Sequence, residues 1–401
     1  MKILCVLGRH AYGDPLRGEG YEYVNFLPAF RQLGYDVSVF ESFARDPYPD
    51  FAALNRALIQ RVEETAADVV FTVLMQYEVW IEKLRLIRGN GVTLVNWSTD
   101  DSWKYRMYSR FIGREFDLFV TTYPDLLEKY RADGIAAARL SQWGANSETL
   151  LQPMSSINCK YDVSFIGSAY GNRRPMIRSL QRAGIEVSCF GHGWPSGPVN
   201  AKLIPEIVQS SRISLNFSEA SQGGPGTVVT RQIKARTFEV PGYGGCLVTE
   251  RTPHLERYFR IGQDLLDFDG ESELIHRVKS LLADPARRDS IAKQGFERVV
   301  AEHTYDRRFK ELFNELTPKS TRRHFGPIDR GAFEAAASRH RSGPAMRILR
   351  WCLIVIASSL WGRRRGPRAA RRLTFEVSWR LRGAWTYTAA GWPGRLFYRE
   401  S

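Results

Sequence analysis

The chain has 401 residues, 43% of them hydrophobic and 25% charged, which excludes a disordered or fibrous protein and exceeds what one core ordinarily organises, so two folded domains are expected. Its net charge of +14 is confined to one region: residues 1–318 hold 39 Lys and Arg against 39 Asp and Glu, whereas residues 319–401 hold 18 against 4. A neutral body with a basic tail argues against a nucleic-acid-binding face and points to a surface-targeting segment.

In chain order, the first element is an apolar strand at 3–7. A Gly-punctuated loop (8–20), a helix (21–33) ended by Gly34 and a strand at 36–40 follow, and together they form a βαβ unit. The alternation continues with a helix near 51–64, strand 69–73, a helix near 78–88, strands 93–97 and 118–121, and a helix at 124–132. It restarts after Pro153 with strand 162–167, helix 173–183, strand 186–190, helix 202–210, strand 213–217, helix 231–238, strand 246–249 and helices over 271–284 and 286–300. Strands alternating with helices imply parallel sheets covered on both faces, so the fold class is α/β with two doubly wound, Rossmann-like domains. Their expected limits are 1–152 and 153–318, with the ligand cleft between them and a helical tail over 319–401. The chain starts directly in a strand without a signal-peptide pattern, and Cys5, Cys159, Cys189, Cys246 and Cys352 are scattered. A cytoplasmic protein with reduced thiols is expected.

Candidate site residues fall at strand ends. Gly8, Gly18 and Gly20 let backbone approach a ligand, or simply make a turn. Asp100 and Asp101 follow strand 93–97; either can serve as general base for an acceptor hydroxyl, and an N-cap for the next helix is the bland alternative. No His or third carboxylate sits nearby at ligand spacing, so no metal is expected. Gly167, Tyr170 and Arg173 stand where a strand meets a helix, a place where arginine and helix amides can share a phosphate. Arg231, Lys234 and Arg236 with Glu239 concentrate cations before the turn at Gly244 and Gly245; the cations can neutralise a diphosphate and the glutamate can accept from ribose hydroxyls. A basic helix face with a paired Glu is the competing reading. Gly223 to Gly226 reads as a mobile loop placed to close over a donor.

The stretch from Gln232 to Thr249, with Tyr161 to Gly167 and Glu302 to Arg308, resembles the CgeB-like (spore maturation) branch of the GT-B glycosyltransferases. The resemblance spans roughly 1–317. It implies an acceptor bound mainly by the first domain, a nucleotide-sugar bound by the second as co-substrate with no further cofactor, and transfer without a metal. It places Glu239 at the second of two family glutamates and Arg231 at the first, eight residues earlier.

The tail holds Trp351, Trp361, Trp379, Trp385 and Trp392, with Arg347, Arg350 and Arg363 to Arg365 flanking an apolar stretch from Trp351 to Trp361. Eleven residues fall short of the about 20 that span a bilayer, so residues 346–399 are expected to attach peripherally to the inner membrane face, with packing on the body as the alternative. The resulting expectation is a sugar transferase acting on a glycan or lipid-linked acceptor in cell-surface polysaccharide assembly, with no nucleic-acid partner. A non-catalytic sugar- or nucleotide-binding protein is the alternative.

Overall fold

The computed structural model describes residues 1–219, 230–316 and 327–401; the glycine loop at 223–226 lies outside them. The chain divides into two units, Met1–Ser141 with Asn314–Ser401, and Gln142–Phe313.

Unit 1 is built on a parallel sheet of β1 (Lys2–Leu7), β2 (Asp36–Glu41), β3 (Val69–Thr72), β4 (Thr93–Ser98), β5 (Leu118–Thr121) and β6 (Ala138–Leu140), in the order β2-β1-β3-β4-β5-β6. β3, β4 and β5 are buried along their whole length, as expected of predominantly apolar strands in a sheet covered on both faces. In register, Val6 lies beside Phe40 on one side and Thr72 on the other, so the strand order reverses between β1 and β3. The covering helices are α1 (Tyr21–Gln32), α2 (Phe51–Thr65), α3 (Ile81–Gly89), the short α4 (Asp101–Lys104) and α5 (Arg110–Ile112), and α6 (Leu127–Ala132). α2 starts where the Asp50 carboxylate accepts from Ala53 N at 2.8 Å, and it buries Phe51, Leu54, Leu58, Ile59 and Val62 at helical spacing.

Unit 2 has a second parallel sheet of β7 (Tyr161–Ile166), β8 (Val187–Phe190), β9 (Ser211–Asn216), β10 (Leu247–Glu250) and β11 (Leu266–Phe268), in the order β11-β10-β9-β7-β8. Its helices are α7 (Arg173–Arg182), α8 (Ile204–Gln209), α9 (Arg236–Gly242), α10 (Glu271–Ala283), α11 (Pro285–Glu302) and α12 (Tyr305–Asn314). Residues 142–152, placed in the first domain by the sequence pattern, belong here: Ala145 N donates to His303 O at 2.9 Å and Leu151 N to Gly242 O at 3.1 Å. The helix expected at 231–238 begins five residues later, because Gln232 N donates to Ser218 O at 3.0 Å and Arg231 pairs with Glu219 in an antiparallel bridge. That long-range pairing keeps 231–234 out of the helix.

The described part of the tail forms α13 (Arg330–His340), α14 (Pro344–Trp361), α15 (Gly366–Arg382) and α16 (Trp392–Leu396), all within unit 1. Phe333, Ala336, Phe375, Trp379, Tyr387 and Tyr398 lie in the same apolar core as Leu58, Tyr77, Trp80 and Leu84. Beneath α13, the fully buried Lys83 holds its Nζ 3.0 Å from the centre of the Phe333 ring, and burial lowers its pKa to about 7. The folded group therefore releases its proton below the ordinary lysine range. Between pH 7 and the unfolded value near 10.5 the unfolded chain binds more protons, and stability rises with pH across that window. Lys83→Met is expected to raise the melting temperature by about 3 °C at pH 6, with the gain shrinking toward pH 10. A gain independent of pH would contradict the titration of Lys83.

Candidate functional site

In unit 2 the strand order reverses between β7 and β9, the place where open α/β sheets take ligands at their carboxyl ends. The ends of β9 and β10 and the start of α7 are tied there by one carboxylate that the sequence reading missed. Glu250, at the end of β10, is fully buried; its Oε2 accepts from Ser218 N at 2.8 Å and its Oε1 from Asn172 Nδ2 at 2.9 Å, with Arg231 Nε 3.4 Å away. Glu219 accepts from Asn172 N at 3.1 Å at the mouth of α7. A glutamate closing the apolar run Cys246 to Thr249 was the available signal, since an acid at the end of a buried strand needs partners.

Arg173 is buried, stacked 3.9 Å from the centre of the Tyr170 ring, and donates to Tyr170 Oη at 3.0 Å and Ser168 O at 2.8 Å. Its Nε is buried without a hydrogen-bond partner. Burial lowers its pKa, and Arg236 lowers it further, while Tyr170, Glu219 and Glu250 raise it. These groups share one electrostatic neighbourhood. Arg231 reaches Asp269 at 2.8 Å as well as Glu250, and Arg236 pairs with the buried Glu239 at 2.9 Å. Burial, followed by the charge of Glu239, raises the pKa of Tyr243, whose hydroxyl hydrogen-bonds Glu239 and Thr149. The expected basic helix face is therefore a set of acid-paired arginines, with Lys234 half-buried in the non-helical run before α9.

The glycines divide by role. A Cβ on Gly244, whose φ is +72°, would meet Leu151 O at 2.7 Å, and one on Gly245 would meet Val208 Cγ1 at 2.5 Å. Gly244 packs closely beneath the 151–152 segment and Gly245 against Val208 and Val240, so close packing alone accounts for both glycines. Gly167 is also tight: a Cβ there would lie 2.9 Å from the Phe165 ring, and its carbonyl accepts from Trp194 Nε1 at 2.7 Å.

In unit 1, Gly8 packs under the Phe43 ring, a Cβ on Gly20 would meet Gly8 O at 2.5 Å, and Gly18 supplies a φ of +80° in open space. The loop closes on itself through Gly20 N to Arg9 O at 2.8 Å and Ala11 N to Gly18 O at 3.0 Å. Asp101 is buried and accepts from Ser98 Oγ at 2.5 Å, Ser109 Oγ at 2.6 Å and Tyr130 Oη at 2.7 Å. A carboxylate committed to three hydroxyls is a structural anchor, an arrangement that weighs against the catalytic role expected of Asp101. Asp100 stands at the N-cap of α4 in the left-handed region, with φ 58°, and its side chain makes no capping bond. Glu22, in the first turn of α1, joins it electrostatically: burial raises the Glu22 pKa, its own backbone amide and Lys104 lower it, and Asp100 raises it again. Lys104 is buried, with Nζ 3.2 Å from Thr99 Oγ1. Glu22 escaped the sequence reading because it looks like an ordinary helix-start acid.

Two parallel-sheet, Rossmann-like units of this kind define the GT-B fold of glycosyltransferases. Residues 173–314 match the family model described as glycosyl transferase-like, a span that holds α7, Glu250 and the Arg236–Glu239 pair. Among solved structures, the chain is similar to the sucrose-phosphate synthase of Thermosynechococcus elongatus, with 12% identity and a TM-score of 0.56 over 79% of this chain and 99% of that one. It is similar to Anabaena HepE in complex with UDP, with 13% identity and a TM-score of 0.51 over 79% and 100%. It is also similar to a glycosyltransferase from Rickettsia africae, with 10% identity and a TM-score of 0.53 over 78% and 97%. No curated protein matches the sequence.

Proposed function

We propose that the chain is a glycosyltransferase that moves a hexose-type sugar from a nucleoside-diphosphate donor to a glycan or lipid-linked acceptor in cell-surface polysaccharide assembly, in the cytoplasm and without a metal. One observation carries the reading: the glycosyl transferase-like match over 173–314 coincides with the charged cluster at the switch point of the unit 2 sheet. The UDP complex of the similar Anabaena protein supports a nucleotide-sugar as the donor. In this proposal Arg173, Arg236 and Lys234 face the diphosphate and Glu239 accepts from the ribose. Glu22 or Asp100 receives the acceptor proton; burial raises the Glu22 pKa, and a carboxyl so raised is the better base near neutrality. The finer placement in the CgeB-like branch rests on the residue likeness of 161–167, 232–249 and 302–308.

A second reading, a non-catalytic nucleotide- or sugar-binding protein, is favoured by one observation: Arg231 stands where the resemblance places a glutamate, and it is tied to Glu250 and Asp269. Calorimetric titration with UDP, GDP, dTDP and CMP tests both. One nucleotide is expected to bind the wild type and to bind Glu239→Ala at least about tenfold more weakly. Binding of none would overturn the transferase reading and leave the second in its sugar-binding form. Slow hydrolysis of the matching nucleotide-sugar is expected of the transferase, and its absence with binding intact would select the second reading.

A further inference from the structure

The outer layer of unit 1 is a helical hairpin with an uncovered apolar face. α15 is bound inward: Phe375 and Trp379 are buried in the core, and the Phe375 ring centre lies 5.7 Å from that of Tyr77. α14 packs on α15 and α16 through Met346, Leu353, Ile354 and Ala357, with Gly366 so close to Ser358 that no Cβ would fit. The other side of α14 has no partner among the described residues. Ile348, Trp351, Val355, Ile356 and Leu360 are 62, 66, 46, 58 and 67% exposed. Leu373, Val377 and Leu381, one helical turn apart on α15, continue the strip at 49, 49 and 70%.

The strip is bordered by positive charge. Arg347, Arg363, Arg364, Arg365, Arg368 and Arg372 are exposed, and between residues 344 and 399 there are twelve arginines and one acid, Glu376, which pairs with Arg380. A large apolar strip rimmed by a single sign of charge, with indoles at both Trp351 and Trp361, matches the chemistry of an anionic bilayer surface: acyl chains under the strip and phosphates at its edge.

We propose that the α14–α15 hairpin seats unit 1 on an anionic lipid bilayer, with α14 lying in the plane of the headgroups. By length and composition α14 also passes as a membrane span. Its attachments decide against that. At 18 residues it is about 27 Å long, short of the about 30 Å hydrocarbon layer. Crossing would carry Arg363, Arg364 and Arg365 to the far side. It would also pull α15, with Phe375 and Trp379, out of the unit 1 core, and break the bond from Arg350 Nε to Leu396 O at 2.7 Å. A docked α15 and a spanning α14 are incompatible.

Flotation of the 401-residue chain with vesicles tests the proposal independently of glycosyl transfer. Phosphatidylcholine vesicles with about 30% phosphatidylglycerol are expected to carry the protein, with affinity falling as salt rises. Ile356→Glu with Leu360→Glu is expected to weaken binding at least about tenfold, and Arg363→Gln, Arg364→Gln and Arg365→Gln together to do the same while flattening the salt dependence. All five side chains are exposed, so an unchanged melting temperature separates lost docking from lost folding. Failure to float with anionic vesicles, or equal flotation with neutral ones, would overturn the proposal. Resistance to alkaline extraction would establish a span instead. A lipid-free dimer dispersed by Ile356→Glu would assign the strip to a second copy, and RNA that displaces the vesicles would assign the arginines to nucleic acid.

Discussion

Glu250→Ala is expected to abolish detectable nucleotide binding, a loss of at least about 100-fold, and to cost unit 2 about 3 kcal/mol. The carboxylate is fully buried, and the substitution leaves Ser218 N and Asn172 Nδ2 without their acceptor. Arg231 keeps Asp269, so the loss falls on the geometry of the strand ends. Glu250→Gln is the sharper variant. Both carboxylate oxygens accept, Oε2 from a backbone amide and Oε1 from the Asn172 amide with Arg231 beside it, and a glutamine must turn its own NH2 toward one of these donors. It is expected to bind nucleotide nearly as poorly as the alanine variant. Wild-type titration by Glu250→Gln would show that Glu250 does not shape the nucleotide site.

The second large effect lies in unit 1. Asp101→Ala removes the shared acceptor of the Ser98, Ser109 and Tyr130 hydroxyls from a buried site and is expected to cost about 3 kcal/mol, about 8 °C in melting temperature. Asp101→Asn keeps one acceptor oxygen and is expected to cost less, with turnover per folded molecule preserved. Glu22→Gln is its counterpart: melting temperature within about 1 °C of wild type, but turnover reduced about 100-fold. The wild-type rate should fall on the acid side as pH drops through the raised Glu22 pKa, because a base must be deprotonated to act. A normal melt with lost turnover in Asp101→Asn would return Asp101 to the catalytic role.

The strands were legible because buried parallel strands are written as short apolar runs between turn residues; β4 and β10 were found within a residue or two of their ends. α9 was misplaced because the pairing of Arg231 with Glu219 and of Gln232 with Ser218 joins segments whose proximity no local pattern records. Asp101 and Glu22 exchanged significance for a similar reason. Adjacent acids at a strand end look reactive, yet burial and three hydroxyl donors occupy Asp101, while burial raises the Glu22 pKa and Asp100, distant in sequence, raises it again. In the tail, the spacing of Phe375 with Trp379 and of Phe333 with Ala336 and Ala337 carried the helical signal, masked by the arginines between and around them.

The discontinuity of unit 1 has a consequence for biosynthesis. All of unit 2 is synthesised between Ser141 and Asn314, so the growing chain presents Tyr77, Trp80 and Leu84 long before Phe333, Phe375 and Tyr387 exist to cover them. The nascent sheet must wait with an open flank while unit 2 emerges. A stop codon placed after residue 316 would thus leave a permanently unfinished core, a folding defect with nothing to do with membranes or sugars.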